Sequence, residues 1–252
     1  MGVYDQSDFA YRFDWGLDGI AALGPTAAVL VIVDLLSFTT CVDVAVGVGA
    51  EVVPASTDAE AGALLAARAN TVVAARERSL AAPSLSPSSL RRLTPGTRLV
   101  LPSPNGATLA TAATRASSAV IFAACLRNAR AVAGAARVAA GSGPIAVVAS
   151  GERWADSGGR LRPCVEDLLG AGAVLAALDP AGSTSRPGCS PEAAAARAAF
   201  AAARPRIVEA VADCASAREL VGRGFGNDVT LASELDVSPL APRLDRGAFV
   251  AR

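Results

Sequence analysis

Three runs of apolar residues each stop at a short polar cluster, and this repeated pattern limits the fold more than anything else in the chain. Ala28-Val29-Leu30-Val31-Ile32-Val33 ends at Asp34, Thr97-Arg98-Leu99-Val100-Leu101 runs into Ser103-Pro104-Asn105-Gly106, and Ile145-Ala146-Val147-Val148-Ala149 ends at Ser150-Gly151-Glu152. Near-continuous Val/Ile/Leu runs of this length predict strands of a sheet buried on both faces, which is the habit of parallel sheets. Ligands of open α/β sheets bind beyond the carboxyl ends of such strands. The active site is therefore expected at the rim formed by the three clusters.

The chain has 252 residues, 52% of them hydrophobic, with a mean hydropathy of +0.40. That is enough to bury a large core. Much of the apolar content is alanine, and no stretch approaches the roughly 20 uninterrupted apolar residues of a membrane span. The first 15 residues carry Asp5, Asp8, Arg12 and Asp14 among aromatics, unlike a secretory signal. The five cysteines (Cys41, Cys125, Cys164, Cys189, Cys214) are scattered without a C-x-x-C pair, which suggests neither a disulfide framework nor a zinc knuckle and fits a cytoplasmic location. A net charge of +0, with arginines placed singly, gives no stripe to track a nucleic acid backbone. No nucleic acid or membrane partner is expected; a small-molecule substrate is, and a homodimer stays open.

The chain contains no histidine and no lysine. Ser-His-Asp triads, histidine phosphatases, Schiff-base lysines and the Walker A lysine are excluded at once. Carboxylates, arginine, hydroxyls, amides, thiols and a metal remain as chemical tools. Replacement of lysine by arginine in a biased composition accounts for the absence equally well, and the exclusions hold either way.

The spacing predicts strand 28–33, a helix over 38–48, strand 51–54 and a helix over 58–68. A short apolar run at 71–75 and a Ser/Pro-rich surface loop or lid over 79–96 come next. Strand 97–101, a helix to 116, strand 118–123, helix 128–139, strand 144–149 and helix 165–178 follow. A flexible loop at 179–191 precedes helices over 192–203 and 205–222, a third helix after 226–228, and a Pro-containing tail. The fold class is α/β: a largely parallel sheet with helices on both faces, three layers, and a helical C-terminal cover, all in one domain spanning 1–252.

Each polar cluster admits two uses. Asp34, with Ser37, Thr39 and Thr40 at a helix start, can hold a divalent cation against a phosphate, or the hydroxyls can simply cap the helix. Ser103, Asn105 and Gly106 form either an anion cradle or a turn. Arg127 and Asn128 can contact an anion or cap the next helix. Glu152 adds an acid, and so do Glu166 and Asp167, of which at least one can serve the helix dipole. Asp228 reads as a cap. Gly170 and Gly172 cost about 1 kcal/mol each inside a helix, so they mark close helix-to-sheet packing.

Taken together, Val31-Ile32-Val33-Asp34-Leu35-Leu36-Ser37-Phe38-Thr39-Thr40, Ser103-Pro104-Asn105-Gly106-Ala107-Thr108, Leu126-Arg127-Asn128-Ala129, Gly151-Glu152-Arg153 and Glu166-Asp167-Leu168-Leu169-Gly170-Ala171-Gly172 resemble the 2-phosphosulfolactate phosphatase family, in order along residues 28–242. The resemblance implies a magnesium-dependent phosphatase that converts 2-phospho-3-sulfolactate to sulfolactate and phosphate, a step of coenzyme M biosynthesis. It also implies an α/β fold with Asp34, Asn105, Gly106, Glu152, Glu166 and Asp167 at the site. Two departures stand out. Ser37 occupies the place of the family's arginine, removing a bidentate partner for phosphate or sulfonate, and Arg76-Glu77-Arg78 is a weak counterpart of the acid–glycine motif after the third strand.

On this reading Mg²⁺ is held by Asp34 with Glu166 or Asp167. Thr39, Thr40, Ser103, Asn105, Gly106, Arg127 and Asn128 contact the substrate, and Glu152 orients or deprotonates the attacking water. A haloacid-dehalogenase arrangement fails, since its second aspartate would fall at Leu36 and its lysine has no candidate. A non-catalytic binding protein for an anionic phosphorylated or sulfonated metabolite is the alternative. The several acids argue against it, because they repel an anion unless a metal intervenes.

Overall fold

A computed structural model describes residues 3–57, 60–61, 70–75, 77–154, 159–180 and 188–251. Its strands are β1 (Tyr11–Trp15), β2 (Val29–Val33), β3 (Glu51–Ala55), β4 (Thr71–Val73), β5 (Arg98–Pro102), β6 (Val120–Ala124), β7 (Ile145–Ala149), β8 (Glu152–Arg153), β9 (Leu161–Arg162), β10 (Arg243–Asp245) and β11 (Ala248–Val250). Nine of them form one sheet in the order β1-β7-β2-β6-β10-β11-β3-β5-β4, and β8 pairs with β9 in a small hairpin beside it.

The central strand β2 is buried over its whole length, and its pleat explains the layers. Val29, Val31 and Val33 join a core with helices Ala129–Ala140, Val165–Leu178 and Pro191–Ala203. Leu30 and Ile32 point the other way, toward helices Gly16–Leu23, Phe38–Gly47 and Gly106–Ala116. A strand with apolar side chains on both faces requires cover on both, as the expected fold class demands. Gly170 does mark contact with the sheet, since a Cβ there would lie 2.8 Å from Val33 Cγ1. Gly172 marks a different contact: a Cβ there would lie 2.2 Å from the Ala196 carbonyl oxygen, so it lets the Val165–Leu178 helix close on helix Pro191–Ala203.

The sheet contains two parallel groups, β1-β7-β2-β6 and β3-β5-β4, joined by the antiparallel pair β10-β11. Three antiparallel steps reverse the strand sense between the groups. In a flat sheet the carboxyl ends of β2 and β5 would then lie at opposite edges. Leu30 and Ile32 of β2, Val52 of β3, and Leu99 and Leu101 of β5 nevertheless share one core, and the loops after β2 and β5 meet where the Gly106 amide donates to the Asp34 carboxylate.

Several expectations need correction. The N-terminal aromatic segment is an edge strand, β1, in register with β7. The predicted helix over 205–222 breaks into Ile207–Ala212 and Ala215–Gly222, with Cys214 as N-cap of the second. The C-terminal third covers the sheet with helices, but its last strands also enter the sheet's middle, at a turn where Arg246 and Gly247 both have positive φ. The 79–96 segment is no free surface loop, because Ser84, Ser86 and Leu90 are fully buried. The predicted helix over 58–68 and much of the 179–191 loop fall largely outside the described residues. No helix among the described residues is long and apolar enough to cross a membrane.

Candidate active site

The chain leaves β2 at Val33 and is fastened within two turns of backbone. The Thr39 hydroxyl donates to the Asp34 carbonyl (2.7 Å) and accepts from the Asp34 amide (3.0 Å), and the Thr40 hydroxyl donates to the Leu35 carbonyl (2.7 Å). These two threonines hold the Asp34 main chain still. The Asp34 carboxylate, almost wholly buried, accepts from the amide of Phe38 at 3.1 Å and from the amide of Gly106 at 2.8 Å. The second bond crosses from the end of β2 to the start of the helix after β5.

Asp167 reaches the same rim from the opposite face of the sheet. Its two oxygens accept from the amides of Leu35 (2.7 Å) and Gly151 (2.8 Å), so it ties the loop after β2 to the loop after β7. Half-buried Glu152 follows Gly151, and its Oε1 accepts from the Asn105 side-chain amide at 2.9 Å. Asp34, Asn105, Gly106, Glu152 and Asp167 thus form one connected set drawn from four separate loops or helix ends.

The electrostatics of this set are unusual. The Asp34 carboxyl is raised to about 6, by burial above all and by the charge of Glu152, while the Phe38 and Gly106 amides and the Arg78 guanidinium oppose the rise. Burial also raises Asp167 well above the usual carboxylate range, with the charges of Asp34 and Glu166 adding to it. Two mutually repelling buried acids are a costly arrangement unless a cation sits between them.

A family model for 2-phosphosulpholactate phosphatase matches residues 21–247 of the chain. The chain belongs to this family. No curated protein matches it. The 2-phosphosulpholactate phosphatase family name denotes a phosphatase, a phosphoric monoester hydrolase.

The remaining candidate residues of this 2-phosphosulpholactate phosphatase family member are distributed unevenly. Ser103 lies beside the rim, its hydroxyl accepting from the Asn105 amide at 3.3 Å. Arg127 turns away: its Nε donates to Asp43 at 2.8 Å and its Nη1 pairs with Glu234. Asn128 closes a capping box with Cys125 and is fully buried. Glu166 lies beside Cys214, whose thiol it helps to raise, and its charge also acts on Asp167. Asp228 caps no turn of its own helix; it accepts from the Ser86 hydroxyl and the Ser88 amide. The structure brings one further residue to the rim, Arg78, which donates to the Ser37 hydroxyl at 2.9 Å. Its only sequence signal was the Arg76-Glu77-Arg78 run.

Among the described residues no group of three His, Cys, Asp or Glu side chains is close enough to enclose a metal alone. Magnesium does not require one, since it keeps several waters and is commonly bound through one or two carboxylates plus substrate oxygens. Asp34 and Asp167 each accept two amide hydrogens and retain lone pairs, and the buried hydroxyl of Ser150, the residue before Gly151, has no hydrogen-bond partner among the described residues. The donor set fits a magnesium ion.

The raised Asp34 carboxyl fixes the sign of a pH effect. Its folded value, about 6, exceeds the ordinary 3.8, so its stabilising share is complete below pH ~4 and is lost as pH rises through about 6. In a metal chelator the protein is expected to lose on the order of 3 kcal/mol between pH 4 and pH 7 from this group, Asp167 adding in the same direction. Urea unfolding across that range measures it; a stability that climbs with pH would contradict the assignment.

Proposed function

We propose that this chain is a magnesium-dependent phosphatase acting on a small phosphoester, 2-phospho-3-sulfolactate being the substrate its family name suggests. The observation that carries the reading is the meeting of Asp34 and Asp167 beside Gly106, from different loops, on one rim. Asp34 and Asp167 would hold the ion, which when bound supplies the positive charge that neutralises phosphoryl oxygens.

The chain's own groups supply the rest. Gly106 opens an α-helix, and the first-turn amides of Ala107 and Thr108 have no partner within that helix, so they can donate to phosphoryl oxygens. Glu152, oriented by Asn105, stands where it can take a proton from a water attacking phosphorus. Its Oε1 accepts from Asn105 and from the Arg153 amide, and among the described residues Oε2 accepts from no donor and can take up that task.

Phosphate release from a panel of 2-phospho acids, with and without Mg²⁺, tests the proposal. Release that depends on Mg²⁺ and is highest for 2-phospho-3-sulfolactate is expected. A protein that binds these compounds in equilibrium titration yet releases no phosphate under any metal condition is a binding protein, and the enzymatic reading falls.

A further inference from the structure

The rim gathers acids, yet its ligand on the proposed reading is an anion. Among the described residues a buried cation faces it. The Arg78 side chain is only 9% exposed, donates to the Ser37 hydroxyl at 2.9 Å, and makes its charge felt at Asp34. Ser37 immediately precedes Phe38, whose amide holds the Asp34 carboxylate. The guanidinium therefore stands beside the metal-binding acids, on the Phe38–Gly47 side.

Its fixation is elaborate. Nη1 donates to the Leu85 carbonyl and lies 3.5 Å from Asp228 Oδ2. The other oxygen of Asp228 accepts from the Ser86 hydroxyl (2.9 Å) and the Ser88 amide (3.1 Å). Asp228 is fully buried and sits on helix Gly226–Ala232, some 140 residues further along the chain. Ser84 and Ser89 tighten the same segment through their hydroxyls. A guanidinium has five N–H donors; Nε and part of Nη2 have no partner among the described residues. A forked donor held in place with N–H groups left over suits a planar or tetrahedral oxyanion.

We propose that Arg78 binds an anionic oxygen group of the substrate at the rim, and that Asp228, acting through Arg78 and the Ser86–Ser88 backbone, is its positioning residue. The inference deepens the phosphatase reading and rests on it. Arg78 grips the ligand in both ground state and transition state, so its loss raises KM more than it lowers kcat. Asp228 touches no ligand and acts only by holding the fork in register.

Titration calorimetry with inorganic phosphate in Mg²⁺, together with steady-state phosphate release, tests both roles. Arg78→Gln is expected to weaken phosphate binding and raise KM by about 10- to 100-fold, the scale of a lost charged hydrogen bond. Arg78→Lys, which keeps the charge and the pairing with Asp228, carries the test should the Gln variant fail to fold; a several-fold loss of phosphate affinity at an unchanged melting temperature is expected. Asp228→Asn should raise KM several-fold with kcat nearly constant, and should add nothing further in an Arg78→Gln background, which leaves no cation for Asp228 to hold. Wild-type phosphate affinity in the folded Lys or Gln variant overturns the role of Arg78, and additive effects in the double variant overturn that of Asp228. If the wild-type protein itself neither binds nor releases phosphate, the phosphatase reading fails first and takes this inference with it.

Discussion

Asp34→Asn is expected to reduce Mg²⁺-dependent phosphate release by about a thousandfold or more while the protein stays folded. On the proposed reading the loss follows from removing a carboxylate that would hold the ion, since charge stabilisation of this kind is worth several kcal/mol in the transition state. The stability outcome is a balance. An asparagine amide must turn its NH₂ toward either Phe38 or Gly106, both of which donate to Asp34, leaving one buried N–H unpaired at a cost of about 1–3 kcal/mol. Against that, the substitution removes a charge whose burial beside Asp167 is unfavourable. The melting temperature should therefore move by only a few degrees. A variant that keeps its activity would remove Asp34 from the mechanism, and one that unfolds would make it a structural residue.

Gly106→Ala should damage both folding and turnover. The added Cβ would lie 2.5 Å from Phe38 Cδ1 and 2.7 Å from Asp34 Oδ2. Phe38 cannot yield, being fully buried and packed edge-on against Phe249 with ring centroids 6.2 Å apart. Overpacking of this kind costs about 1–3 kcal/mol and can exceed it, which corresponds to a fall of roughly 5–10 °C in Tm. The carboxylate and the helix start must part, and a shift of that size at a reacting centre costs about a hundredfold in rate. Gly134→Ala is the matched control: its Cβ would meet nothing within 4 Å, so a small gain of about 0.5–1 kcal/mol is expected from helix propensity. Equal effects from both substitutions would show that the packing around Gly106 is not what matters.

Those parts of the fold governed by local apolar pattern were legible in the sequence. Strands β2, β5, β6 and β7 announce themselves as Val/Ile/Leu/Ala runs because both their faces are buried. Strand β1 does not: Tyr11-Arg12-Phe13-Asp14-Trp15 lies at an edge and mixes charge with aromatics. The β10-β11 hairpin was hidden by its brevity. Each strand has three residues, and only the Asp245-Arg246-Gly247 turn signals it.

For the site, the sequence separated the rim residues less well. Asn105-Gly106 and Arg127-Asn128 both follow a strand and open a helical turn, so local pattern treats them alike. What distinguishes them is tertiary: Gly106 meets Asp34, whereas Arg127 meets Asp43 and Glu234. Glu166 and Asp167 are neighbours on one helix, and the 100° between them sends one toward Cys214 and the other to the rim. Ser37 lacks a guanidinium of its own, and Arg78 brings one to it from 41 residues away.

The hairpin that joins the two parallel groups also orders events in time. Residues 243–250 leave the ribosome after every other strand of the sheet, so the nascent chain carries β6 and β3 with unpaired edges until then. Asp34 belongs to one group and Gly106 to the other. The contact between the two groups at the candidate site is therefore expected to form once residues 243–250 are in place, and until that moment the unpaired strand edges are surfaces for chaperones or for aggregation.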